Sequence, residues 1–154
     1  MKPIAIQRNE KDQIIIRRVE RFNSSLLKAV NDLLPQLTDS APLLTASGLK
    51  EIIASETTQI LVAVEGERIG GMLTLVLFRI PTGLRGWIED VVVNKADRNK
   101  GVGRMLTEKA IEIARLKGAH SLDLTSRPAR TAANRLYQKI GFKKRETNAY
   151  RITL

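Results

Sequence analysis

The chain has no cysteine and a single histidine, His120. Without thiols it can form no disulfide, no thiolate-held metal site and no cysteine nucleophile. One imidazole cannot build a histidine metal cluster. A serine hydrolase would have to use His120, and no Gly-x-Ser-x-Gly elbow accompanies it. Aromatic residues make up only 4% of the chain, few for stacking against bases. Charge interrupts every apolar run well short of the roughly 18 residues a membrane helix needs, and the opening Met-Lys-Pro-Ile-Ala-Ile-Gln-Arg has no signal-peptide character. A cytoplasmic protein with no membrane partner and no metal is therefore expected.

What is present is enough apolar material for a core, 43% of 154 residues, which fits one domain over residues 1–154. The charge is unevenly placed. Residues 1–93 carry 11 Lys+Arg and 11 Asp+Glu, whereas residues 94–154 carry 15 and 5, so the whole formal charge of +10 falls in the second segment. A solvated lysine-rich surface is the plain explanation; an anionic partner, either nucleic acid or a phosphorylated cofactor, is the functional one.

The pattern along the chain alternates between strand and helix periods. Residues 13–19 read as a strand. Phe22, Leu26, Leu27, Val30, Leu33 and Leu34 fall at helical spacing within a helix over 21–34 that Pro35 closes. A loop over 35–47 follows, with Ser47 capping a short helix to about residue 55. Strands at 59–65 and 69–80 flank the turn Gly66-Glu67-Arg68 and make a hairpin. Residues 81–86 read as a turn, and Trp87 to Val93 as a β-branched central strand. Then come a helix over 101–117 ended by Gly118, a strand from His120 to Thr125, and a helix with Pro128 near its first turn and Gly141 at its end. Two short strands are expected between Phe142 and Leu154, the run Lys143-Lys144-Arg145 being a solvated strand edge. This order predicts a mixed α/β fold with one sheet and helices on both faces.

The segment richest in chemistry is Val91-Val-Val-Asn-Lys-Ala-Asp-Arg98-Asn-Lys-Gly101-Val-Gly103-Arg104. A strand ends, a polar turn follows, and glycines open a helix. The first N–H groups of a helix are unpaired and the helix dipole is positive there. Glycine lets backbone approach a phosphate with no side chain in the way, and Arg98, Lys100 and Arg104 add cationic charge. In physical terms this is a pyrophosphate cradle. It is not a Walker A loop, and a dinucleotide fingerprint would need a third glycine where Leu106 stands.

The Arg98-x-x-Gly101-x-Gly103 pattern resembles the Gln/Arg-x-x-Gly-x-Gly/Ala motif of the GNAT superfamily of N-acetyltransferases. Upstream, Ile88-Glu-Asp-Val-Val-Val93 resembles that family's fourth strand. Downstream, Asn134-Arg-Leu-Tyr137-Gln-Lys-Ile-Gly141-Phe142 resembles its Asn-x-x-x-Tyr-x-x-x-Gly-Phe helix end. The likeness is good over 60–154 and rests on element order over 1–58. It implies the acyl-CoA N-acyltransferase fold and transfer of acetyl from acetyl-CoA to a primary amine in a ternary complex. It also implies that Val91, Val92 and Val93 offer backbone to the pantetheine, that the backbone of Arg98, Asn99, Lys100, Gly101, Val102, Gly103 and Arg104 holds the pyrophosphate, and that Asn134 bonds the pantetheine. Tyr137 would face the sulfur and protonate the leaving thiolate.

An amine must lose a proton to attack. Glu89, acting through water and sharing a face with Trp87, Val91 and Val93, is the first choice of base; Asp90, on the opposite face, is the second. The plain reading of both is a salt bridge or a cap, and of Tyr137 a core tyrosine. Arg127 and Arg130 either touch phosphate or are simply exposed. A catalytically silent CoA-binding sensor or scaffold is the alternative function. The absence of a recognised nucleic-acid module argues against nucleic acid as partner. Homodimerisation is left open. The acceptor is undetermined: a small amine, an amino acid, an antibiotic and a protein N-terminus all fit.

Overall fold

The strand-like runs assemble into one five-stranded sheet in the order β1-β2-β3-β4-β5. The computed structural model describes residues 13–40 and 42–154; the N-terminal stretch on which the signal-peptide expectation rests lies outside them. The elements are β1 (Ile14–Arg18), α1 (Ser24–Leu37), α2 (Ala46–Ala54), β2 (Thr58–Glu65), β3 (Arg68–Ile80), β4 (Gly83–Val93), a 3-10 turn (Lys95–Asp97), α3 (Val102–Leu116), β5 (Ser121–Leu124) and α4 (Thr131–Ile140). The first four strands are antiparallel neighbours and β5 runs parallel to β4. The sheet is therefore mixed and helix-flanked, as the sequence predicts.

Each face of the sheet has its own core. Leu61, Ala63, Leu73, Leu75 and Ile88 turn one way and bury against Val102, Leu106, Ala110 and Ala114 of α3. Ile60, Val62, Met72 and Val92 turn the other way against Leu26, Val30 and Leu33 of α1 and Leu49 of α2. The period of two along β2 and β3 thus feeds two layers. Fully buried leucines such as Leu33, Leu61, Leu73 and Leu106 each contribute about 1.5–3 kcal/mol by leaving water. Among the described residues no helix is long and apolar enough to cross a membrane.

Several boundaries differ from the sequence reading. α1 starts at Ser24, because Asn23 caps it by accepting from the Leu26 N–H at 2.7 Å. It also runs past Pro35 to Leu37. In the last turn the proline's missing N–H leaves only one carbonyl unpaired, and the Thr38 N–H still reaches the Leu34 carbonyl. Thr45, not Ser47, caps α2 through the Gly48 N–H; Ser47 lies inside the helix and donates to Glu51. The turn before β4 is only Pro81-Thr82, so Leu84, Arg85 and Gly86 belong to the strand. Pro128 lies in a turn ahead of α4, which begins at Thr131. The two strands expected after Phe142 do not form. Residues 143–154 have no regular structure and are exposed, since no strand of the sheet pairs with them.

Candidate active site

The site is made by one strand that outlasts its neighbour. β4 pairs with β5 only from Arg85 to Ile88, opposite Ser121 to Leu124. Beyond Ile88 it continues to Val93 beside β3 alone, while the chain after Leu124 turns away toward α4. The gap so opened is a cleft of about 590 Å³. Its walls are Val91, Val92 and Val93 on one side and Ala133, Leu136 and Tyr137 of α4 on the other, with Arg98, Asn99, Gly101, Val102, Gly103 and Arg104 at its end. Of the residues singled out from sequence, nine of these share the cleft with Tyr137, whereas Glu89, Lys100 and Asn134 do not line it.

A bulge sits where the cleft begins. Thr74 pairs with Glu89 and Met72 with Val92, so two steps along β3 match three along β4. The additional residue is accommodated at Asp90, whose φ is 50°. The bulge corrects the predicted shared face. Glu89 lies on the α1 side with Thr74, whereas Val91 and Val93 pack in the α3-side core and only Val92 joins the α1-side core. Trp87 does share Glu89's face, and its indole Nε1 donates to Glu89 Oε1 at 2.6 Å. Asp90 is exposed as a residue, but partial loss of water around its carboxyl, and then the charge of Glu89, raise its pKa above the ordinary carboxylate range.

The helix end at the cleft is uncapped. Gly101 stands at the N-cap of α3 with φ 80°, and no side chain bonds the first turn. The first intrahelical bond of this turn runs from the Met105 N–H to the Gly101 carbonyl. The N–H groups of Val102, Gly103 and Arg104 therefore have no acceptor within the helix. A Cβ on Gly103 would point between Leu136 and Val93, both cleft walls, so the glycine keeps the helix end open to the cavity.

The three cations of the loop are not equivalent. Arg104 pairs with Glu108 at 2.8 Å. Lys100 pairs with Asp97 at 3.0 Å. Arg98 is exposed and has no ion-pair partner among the described residues. Asp97, which sequence reasoning passed over, is 2% exposed and is held by Arg68 at 2.5 and 2.7 Å as well as by Lys100. The Arg68 hydrogen bonds lower its pKa to about 2. Arg68 opens β3, so a half-buried, two-pronged ion pair fastens the loop between β4 and α3 to the sheet. The one signal in the sequence was an acid set among Lys95, Arg98 and Lys100.

Tyr137 is 7% exposed, with its ring edge-on to Phe142 at 5.9 Å. Burial raises its pKa and the positive charge of Arg130 partly offsets this, so the phenol is protonated at neutral pH. Arg130 reaches across the cleft mouth, 3.5 Å from the Val91 carbonyl. Asn134 uses its amide to donate to the Arg127 carbonyl at 3.0 Å, bracing the loop before α4. Gln36 and Leu37 also line the cleft. They come from the turn of α1 beyond Pro35, and Gln36 accepts from the Lys95 N–H at 2.9 Å. Ending the helix at the proline hid them. No group of three or more His, Cys, Asp or Glu side chains among the described residues is arranged to hold a metal ion.

Residues 27–142 match the model of the Acetyltransferase (GNAT) family. Among solved structures, a transcriptional regulator from Bacillus halodurans C-125 is 27% identical, with a TM-score of 0.78 over 92% of this chain and 100% of its own. An acetyltransferase of Trypanosoma brucei is also 27% identical, with a TM-score of 0.77 over 92% of this chain and 100% of its own. An aminoglycoside N-acetyltransferase in complex with CoA shares the fold at 17% identity, with a TM-score of 0.76 over 97% of this chain and 99% of its own. No curated protein matches the chain.

Proposed function

Given that the chain belongs to the GNAT acetyltransferase family, we propose that it transfers acetyl from acetyl-CoA to a primary amine by direct attack in a ternary complex. The observation that carries this reading is the uncapped end of α3, with three free N–H groups, opening into a cleft whose far wall holds Tyr137. The CoA complex of the aminoglycoside acetyltransferase, which has the same fold, supports CoA as the occupant. The N–H groups of residues 102–104 and the guanidinium of Arg98 take the pyrophosphate. The unpaired edge of β4 from Glu89 to Val93 takes the amide-bearing arm as an added strand would be taken. Asn134 lies within α4, where its amide nitrogen is taken by the Arg127 carbonyl and its carbonyl oxygen is left to accept from that arm.

Acetyl-CoA supplies an activated acyl carbon. The chain's own groups move the protons. The amine nitrogen bonds to that carbon as the C–S bond breaks. The amine proton goes to the carboxylate pair Glu89–Asp90, through water where Glu89 accepts it, and the Tyr137 hydroxyl protonates the departing thiolate. The two exposed acids Glu89 and Asp90, which precede the cleft-lining Val91 on β4, also favour a cationic acceptor. Glu89 has one oxygen committed to Trp87, while Asp90 has the raised pKa that suits a base working nearer neutrality.

Titration calorimetry with acetyl-CoA, followed by a thiol-release assay over an amine library, tests the reading. Binding together with amine-dependent thiol release supports it. Binding without release for any amine leaves the sensor or scaffold role, and no binding ends both. The base is assigned by pH profiles. Because a base must be deprotonated, the rate should fall as pH drops through its pKa. Asp90→Asn should abolish that acidic limb if Asp90 accepts the proton, and Glu89→Gln should abolish it if Glu89 does.

A further inference from the structure

The α1 side of the sheet has a stretch that the helices leave alone. α1 and α2 pack over Ile60, Val62, Met72 and Val92. Farther along the same face stand Val76 and Phe78 of β3 and Trp87 of β4, which pack into neither core and are only half-buried. Val76 lies opposite Trp87 and Phe78 opposite Arg85, so apolar and aromatic surface is laid side by side on two paired strands.

Charge marks the two ends of this plate. At one end, Glu89 is bonded to the Trp87 indole at 2.6 Å, and Asp90 follows it in the chain just ahead of the cleft-lining Val91. At the other end is Arg85. None of these three has an ion-pair partner among the described residues. Arg85 donates to Ser121 Oγ at 3.0 Å and to Thr82 Oγ1 at 3.4 Å, which leaves donors of its fork unused. The carboxylate of β5, Asp123, is already held by Arg145 at 3.2 Å and by the Ser121 hydroxyl at 3.1 Å. Four residues of strand separate Glu89 from Arg85, about 13 Å, with Trp87 midway and all three on one face.

We propose that the acceptor is a primary amine carrying an anionic group, carboxylate or phosphate, at its other end. Its ammonium meets Glu89 and Asp90 beside the cleft, its body lies on Trp87 and Phe78, and Arg85 takes the anion through a planar fork suited to either group. This rests on the acetyl-transfer reading of the cleft and decides which amines enter it. Charge complementarity sets such an acceptor above the others. A simple amine leaves Arg85 unanswered, and a polyamine sets a second positive charge against it.

Thiol-release kinetics on two matched pairs of amines test this: 4-(2-aminoethyl)benzoate against phenethylamine, and O-phosphotyramine against tyramine. In at least one pair the anionic member should have the higher kcat/KM by tenfold or more, carried by KM, as a charge-assisted hydrogen bond provides. The pair that shows it tells carboxylate from phosphate. Arg85→Gln should bring the ratio close to one, and Arg85→Lys should retain part of it. A merely structural Arg85 would lower both members together and leave the ratio unchanged. That outcome, or a wild-type ratio short of tenfold in both pairs, overturns the proposal and leaves the plate to a second copy or another macromolecule. Thiol release from other amines but from none of these four also overturns it while acetyl transfer stands. Thiol release from no amine at all overturns both.

Discussion

The two ends of β4 do opposite jobs. From Arg85 to Ile88 the strand is hydrogen-bonded on both sides, to β3 and to β5, and Ile88 is buried in the core. From Glu89 to Val93 it has β3 on one side only, and its free edge faces a cavity. A buried strand must satisfy its backbone within the protein, and a half-paired one offers that backbone to something else. A binding cleft here needs no dedicated element. It follows from a neighbour that is five residues too short and a single bulge that turns the remaining valines.

Substitutions can sharpen or break this contrast. The largest expected effect is at the open end, where Tyr137→Phe should lower kcat by ~10²–10⁴-fold with acetyl-CoA affinity nearly unchanged, as loss of a general acid does. Steady-state kinetics beside calorimetry separates the two quantities. Next, Gly103→Glu sets a carboxylate between Leu136 and Val93 where a phosphate is proposed to sit. Like charges brought together cost several kcal/mol, so affinity should fall by ~10²-fold or more in a protein that still folds. Unaltered binding in a folded variant would move the phosphate site elsewhere.

Smaller losses are expected where the open end is fastened down. Asp97→Asn removes a 2% exposed carboxylate from between Arg68 and Lys100 and should cost about 2–3 kcal/mol, given a lowering of about two pKa units. The sign follows from the lowered pKa. Above about pH 4, where the carboxylate is ionised in both folded and unfolded chains, the wild-type advantage is full; it drains as pH falls toward about 2. Denaturant midpoints of both proteins at pH 7 and near pH 3 measure this, and an equal gap at both values would count against the ion pair as its source. Last, Gly86→Val challenges the closed end, because a Cβ there would lie 2.7 Å from Leu122 Cδ1 of β5. Crowding of that kind costs about 1–3 kcal/mol. It should lower the unfolding midpoint and speed amide exchange in β5 before it affects acetyl-CoA binding.

Much of the fold was legible because the apolar periods are clean. β2, β3 and α3 lie within a residue or two of where alternation and helical spacing put them. Errors came where a local signal was outweighed. A proline in a last turn costs little, so α1 extended far enough to bring Gln36 to the cleft. At α2, Thr45 was as good a cap as Ser47, and starting the helix there places buried Leu49 one turn on, where its N–H bonds the Thr45 carbonyl at 3.0 Å. The glycine-opened start of α3 could be read because the glycine and arginine spacing is local. The Arg68–Asp97 pair could not, since its partners stand 29 residues apart and only the fold brings them together. The C-terminal strand pattern could be read in isolation, but a strand also needs an edge, and no pattern states whose edge it is.

The bulge at Asp90 can be restated as a phase slip. Along β4 the alternation of side chains is a wave of period two. Before Asp90 the even positions Leu84 and Ile88 serve the α3 layer; after it the odd positions Val91 and Val93 do. One inserted residue shifts the wave by half a period and inverts everything downstream. A deletion of Asp90 would therefore act differently from any substitution. It would remove the bulge and let plain alternation run on from Ile88, with Val91 and Val93 still toward the α3 layer and Val92 still in the layer it now fills. Sequence changes near Asp90 are in this sense digital, since their consequence depends on the parity of the residue count before it depends on chemistry.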